Sequence, residues 1–174
     1  MLQRNHFARL TIALSIAVSA LPSLAANHNN EAQEMPTAAS ISKKWNAEES
    51  LLIEMSRQVA LTLKRDGFEA YSNLFHPEYS NWFMGVLPVR NRTVFLRDIK
   101  QWFDAGNYAV ASDIEPISVD IDGDTAHLRL KQTEHFTDAK GTPSSFSFHG
   151  VHMMKKVRGQ WRFYASSFTE EVKQ

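Results

Sequence analysis

Four polar side chains, Gln58, Gln132, Glu134 and His152, stand among apolar neighbours and carry the chemistry this sequence offers. An imidazole buried beside a carboxylate forms an acid–base pair, because burial and the neighbouring charge move its pKa around neutrality. His152 and Glu134 are therefore the first candidates for proton transfer, with Tyr71, Trp82, Trp102 and Phe148 as walls of a binding site. The plainer alternative is that both are satisfied polar groups of a core or its rim. His76, in the run HPEYSNW, is a second candidate base, but a histidine before proline also serves as a helix C-terminal cap.

Metal chemistry is not expected. His149 and His152 lie three apart on a strand and point to opposite faces, while His127 and His135 share a face but stand roughly 26 Å apart at about 3.3 Å per residue. Met153 and Met154 read as packing rather than as soft-metal ligands. No phosphate-cradling glycine loop, nucleophile elbow or His-Glu-x-x-His pattern occurs, so no cofactor is expected.

These residues need elements to position them. Asn46 with Glu49 forms a capping-box pattern, and Leu51, Leu52, Met55, Val59, Thr62 and Leu63 recur at helical spacing until Gly67. A short second helix follows over FEAYSNLFH, stopped by Pro77. A third begins after Asn91, read as a cap rather than a glycosylation site, with Phe95, Ile99 and Trp102 as its buried stripe and Gly106 at its end. Beyond Asn107 the period changes to two, and Asp122-Gly123, Lys140-Gly141 and Arg158-Gly159 divide four strands of an antiparallel meander. Ala126, Leu128, Leu130, Gln132, Glu134 and Phe136 share one face of the second of these; Phe146, Phe148, Gly150, His152 and Met154 share one of the third. Trp161, Phe163 and Ala165 group on the last. Helices segregated before an antiparallel sheet define an α+β domain.

Composition limits the partners. The 174 residues hold 19 Lys+Arg against 19 Asp+Glu and no cysteine. Balanced charge argues against a nucleic-acid partner, and zero cysteines exclude disulfides, zinc–cysteine sites and thiol nucleophiles. Arg4 and Arg9 precede the uncharged stretch LTIALSIAVSALPSLAA, whose Ser23 and Ala25 are small residues suited to signal-peptidase cleavage after Ala25. Residues 1–25 are read as a signal peptide, 26–44 as a flexible lead-in and 45–174 as the domain. The protein is then periplasmic or secreted, with no stable membrane anchor. The leader holds two basic residues and no acidic one, so its loss changes 19 basic and 19 acidic side chains to 17 and 19, about −2.

Three stretches, DGFEAYSNLFHPEYSNWFMG, RTVFLRDIKQWF and MMKKVRGQWRFYASSF, resemble the nuclear-transport-factor-2-like, SnoaL-like cone fold, whose relatives include ketosteroid isomerases and scytalone dehydratase. The resemblance implies a strongly curved sheet wrapping the first helix around a pocket for a small hydrophobic molecule. It places His152 where the isomerases carry an oxyanion-stabilising acid, Trp82 or Phe83 at their general base, and Gln58 at their helix-one tyrosine. Two of three positions depart from the pattern, which argues against steroid isomerisation and leaves lyase, isomerase or cyclase chemistry with a histidine. The alternative function is a non-catalytic binding or homodimeric association module, pairing through Phe163, Tyr164 and Phe168 on the outer sheet face. For the leader, intact-mass analysis of protein recovered outside the cytoplasm should give a chain starting at Ala26; a chain retaining residues 1–25 would contradict the reading.

Overall fold

The computed structural model describes residues 44–84 and 87–171. The signal-peptide reading, and the lead-in apart from Lys44, therefore lie outside the described residues. From Trp45 onward the chain forms one compact unit.

Helix α1, Ala47–Asn73, starts where the sequence places it. The Asn46 side chain accepts from the Glu49 N–H at 2.9 Å, and the Glu49 carboxylate accepts from the Asn46 N–H at 2.8 Å. Gly67, with φ 87°, kinks the helix rather than ending it, so the two expected helices follow one another with no strand or loop between them. Its buried face is Leu52, Ile53, Ser56, Thr62 and Leu63; Leu51, expected inside, is half exposed. The second helical stretch ends at Asn73 instead of His76, because Phe75–Phe83 forms strand β1. Pro77 is tolerated there because it falls within a register irregularity between Phe75 and Ser80.

The two-residue strand β2, Arg90–Asn91, leads into α2, Arg92–Asp104, whose first turn is capped by the Asn91 side chain on the Val94 N–H at 3.0 Å. Four long strands follow: β3 (Tyr108–Asp122), β4 (Thr125–Thr137), β5 (Pro143–Val157) and β6 (Gln160–Glu170). They form the expected meander, and β1 adds in parallel to β6, giving the sheet order β2-β1-β6-β5-β4-β3. This is an α+β fold in which two helices pack on the inner face of a curved, unclosed six-stranded sheet.

Register assigns the inner face row by row. Val119, Leu128, His152, Ser166 and Asn81 lie across neighbouring strands; Pro116, Leu130, Gly150, Phe168 and Phe83 form the next row. On β6 the alternation breaks. Met153 pairs with Ala165 but Met154 with Phe163, so one residue is inserted on β6 and its parity reverses. Trp161 and Phe163 face inward before this bulge, and Ser166 and Phe168 after it. The expected grouping of Ala165 with Trp161 and Phe163 is thereby corrected, as is the outward placement of Phe163 and Phe168.

Gly150 lies against the Phe168 ring. A Cβ at this position would stand 2.7 Å from Phe168 Cδ1 and 3.6 Å from Leu130 Cδ1, so only glycine admits the ring. Gly150→Ala should lower stability by roughly 1–3 kcal/mol through overpacking. Urea denaturation of the single mutant and of Gly150→Ala/Phe168→Leu checks this: the double mutant should recover part of the loss, and simple additivity would contradict it.

Candidate functional site

His152 sits in the middle of β5 with only 4% of its surface exposed. Its Nδ1 lies 2.8 Å from Ser166 Oγ on β6, and its ring meets Phe163 and Phe168 edge-on at 4.9 and 5.4 Å. Nε2, at the far tip of the ring, is buried and has no partner among the described residues. Burial alone depresses the imidazole to about 4, so it is neutral at ordinary pH.

A polar chain runs outward from this ring. The Asn81 amide nitrogen donates to the Tyr79 hydroxyl at 3.3 Å, and Ser166 beside it draws the Tyr79 pKa down. Burial pushes Tyr79 up to about 12 against these neighbours and nearby Arg90. The Arg90 guanidinium donates to Asn81 Oδ1 at 2.5 Å and stands 3.5 Å from the Asp98 carboxylate on α2. Sequence reading missed Ser166, Tyr79 and Asn81. The signal for the first was hidden by the bulge, while Tyr79 and Asn81 alternate visibly within β1.

Glu134 does not join His152. Leu128 faces His152 across the β4–β5 ladder and Phe146 faces Glu134, so the two groups are offset by six residues, about 20 Å along the strands. The expected acid–base pair is not formed. Glu134 instead accepts from Gln132 Nε2 at 2.9 Å, the same amide that donates to Ser112 Oγ at 2.9 Å. Among the described residues no cation pairs with it, and burial raises its carboxyl from 4.5 to about 7. Between His152 and Glu134 lies an aromatic wall. Phe148 meets Phe168 at 4.8 Å and Phe146 at 5.7 Å, and Phe83 meets Phe146 at 5.4 Å. Phe148 is buried, whereas Phe83, Phe146, Phe168 and Glu134 are partly accessible, so the inner face opens toward the Glu134 end.

The remaining candidates are distributed more widely. Tyr71 is buried against Phe75, with its hydroxyl pushed well up first by burial and then by Tyr79 and Glu134. Trp102 packs on the edge of the core, edge-on to Phe136. Gln58 is committed elsewhere, donating to Glu54 and accepting from Arg65 along the helix surface. Trp82 pairs with Ser167 on the outer face and is 43% exposed, so it forms no wall of the cone. His76 is neither a helix cap nor near His152: it lies on β1 beside the outward-facing Tyr164, its Nδ1 accepting from the Glu78 N–H. Among the described residues no cluster of three or more His, Asp or Glu side chains is placed to hold a metal ion. Open clefts of about 620 and 590 Å³ lie, respectively, between α1 and the β5–β6 turn and beside His135 and Asp113; neither is lined by His152 or Glu134.

A family model described as a SnoaL-like domain matches residues 54–169. Comparison with curated proteins gives no match. Similar solved structures include a protein described as a putative calcium/calmodulin-dependent protein kinase II association domain from Xanthomonas campestris. It is 16% identical with a TM-score of 0.60, over 79% of this chain and 95% of that one. A ketosteroid isomerase-like protein from Erwinia carotovora atroseptica is 16% identical with a TM-score of 0.55, over 74% and 100%. A nuclear-transport-factor-2-like protein of unknown function from Prochlorococcus is 12% identical with a TM-score of 0.58, over 75% and 97%. At these identities the likeness is one of fold.

Two desolvated titrating groups act on stability in opposite directions. Glu134 binds its proton more tightly folded than unfolded, so its contribution is complete below pH 4.5 and is lost as pH rises to about 7. His152 binds its proton less tightly folded, so its contribution is complete above pH 6.5 and is lost as pH falls to about 4. Glu134→Gln should therefore be more stable than the parent by roughly 1–3 kcal/mol at pH 8 and gain little at pH 4.5. Urea titrations at both pH values measure this, and a pH-independent difference would contradict it.

Proposed function

We propose that this chain, which belongs to the SnoaL-like domain family and has the nuclear-transport-factor-2-like cone fold, binds one small, largely apolar molecule on the inner face of the cone. The observation that carries this reading is His152 Nε2, a buried polar atom without a partner, at the deep end of an aromatic wall. A buried polar group left unpaired costs about 1–3 kcal/mol, and a ligand atom bonded to it offsets that cost.

Proton transfer, if the bound molecule is transformed, falls to Glu134 rather than His152. A carboxyl at about 7 exists in both protonation states near neutrality, whereas an imidazole at about 4 is a weak base there. Isomerase, lyase and cyclase steps that move one proton fit such a group, and the ketosteroid isomerase-like neighbour accords with this class by fold. The leader sequence supports export to the periplasm or beyond, where the mature chain would meet its ligand.

Self-association is the second reading, and the outer face favours it. Trp82 and Met153 are 43% and 39% exposed there, and Trp82, Ser167 and Val151 lie side by side across β1, β6 and β5. An exposed strip of this kind suits a two-fold contact between copies, and one similar structure is described as an association domain.

Native mass spectrometry of protein purified from its own compartment separates these readings. Ligand binding predicts one small-molecule adduct per chain, retained in Glu134→Gln and weakened in Phe146→Ala. Absence of any adduct, with no rebinding of a compartment extract, would contradict it. Association predicts a dimer that Trp82→Lys converts to monomer without loss of the adduct; a wild-type monomer would overturn that part alone.

A further inference from the structure

The sheet is incomplete beside the β5–β6 turn. Strand β6 begins at Gln160, but its parallel neighbour β1 begins only at Phe75, opposite Phe163, so Gln160, Trp161 and Arg162 have no strand on that side. The Phe163 N–H donates to the Leu74 carbonyl at 2.9 Å and marks where this notch ends. Helix α1 forms the facing wall, and the resulting open cleft of about 620 Å³ has the volume of an ordinary small-molecule site. Its apolar lining is Leu51, Met55, Leu74 and Trp161, and Leu51 is 50% exposed although it falls on the apolar spacing of the helix. The Trp161 indole N–H is already bonded to Glu48 at 3.0 Å, which leaves its ring as an apolar wall.

The same corner carries cations that the fold does not neutralise. No acidic residue occurs from Gly141 to Thr169, a span that holds Lys155, Lys156, Arg158 and Arg162. Lys156 pairs with Glu48 at 2.7 Å; among the described residues the other three meet no carboxylate. Arg162 is half-buried and lies directly opposite Lys155 in the β5–β6 ladder. Like charges facing one another across strands destabilise a sheet, and the Tyr164 ring under Lys155 at 3.6 Å relieves this only in part. A bound anion offsets the remainder. We propose that this cleft is a binding site, separate from the cone, for a small amphiphilic anion: a single alkyl chain ending in a carboxylate. Arg162, which lines the cleft, takes the carboxylate, because its planar guanidinium matches two oxygens at once. Leu51, Met55, Leu74 and the Trp161 ring take the chain, and Lys155 and Arg158 strengthen the local field. Neither His152 nor Glu134 lines the cleft, so this site is independent of the cone-binding reading.

Octanoate and 1-octanol share a chain and differ in the charged head. Each is titrated into the intact protein at pH 7.5, below the concentration at which it self-associates, and NMR signals are read at the Leu51 and Met55 methyls and the Trp161 indole. Octanoate should shift all three to saturation and bind roughly 3- to 10-fold more tightly than octanol. Arg162→Gln should bring octanoate down toward the octanol affinity and leave octanol unchanged, while Leu51→Asp should weaken both. Lys100→Gln, which removes an equal charge on α2, should bind octanoate as the parent does. Equal affinity of the parent for the two compounds, or equal loss in Lys100→Gln and Arg162→Gln, overturns the anion site. Saturable shifts confined to Phe146, Phe148 and Phe168 put octanoate in the cone, which overturns the cleft assignment and supports the cone-binding reading. Absence of any saturable shift at Leu51, Met55 and Trp161 overturns the cleft as a site.

Discussion

One inserted residue on β6 decides what the interior of this domain contains. Strand parity before the bulge sends Trp161 and Phe163 inward, and unbroken alternation would continue with Ala165 and Ser167. The insertion brings Ser166 and Phe168 inward instead. Ser166 then meets His152, Phe168 fills the space that Gly150 leaves, and the parallel pairing with β1 carries Asn81 and Phe83 to the same face. Bulges also bend and twist the strands that hold them, so the same residue contributes to the curvature that makes an inner face at all.

That interior is unusual in its balance of terms. His152 is neutral, Glu134 is held near its midpoint at neutral pH, and the Arg90 charge is compensated by Asp98, so none of these three groups places an uncompensated full charge in the interior. The rings between them supply the apolar area. Leu52, Leu128, Leu130, Met154 and Phe163 close the deep end with almost no exposure, and accessibility increases along the strands toward Phe146 and Glu134. A polar atom left without a partner inside such packing reduces stability, and retaining one is expected where the domain trades stability for recognition.

Local chemistry was readable from the chain: the Asn46–Glu49 box, the Asn91 cap and the glycine-bearing turns of the meander all formed where their residue types require. The faces of β4 and β5 were equally legible, since burial alternates from Thr125 to Gln132 and from Phe148 to Met154. Sharing a face did not bring two residues together. His152 and Glu134 each face inward, yet the turn at Lys140-Gly141 sets a ladder that offsets them by six residues. The β6 parity change was invisible for a related reason: SSF reads as alternating or as shifted with equal ease. FEAYSNLFH divided between helix and strand because Tyr71 and Phe75 satisfy helical spacing while Phe75, Tyr79 and Asn81 satisfy strand alternation.

The most direct measurement is an experimental electron-density map of the protein purified with whatever it retains. The account predicts density for a small molecule against Phe148 and Phe168, with a polar atom within hydrogen-bond distance of His152 Nε2. A map in which Nε2 is bonded to a protein group and the rings close over it without a ligand would contradict the account.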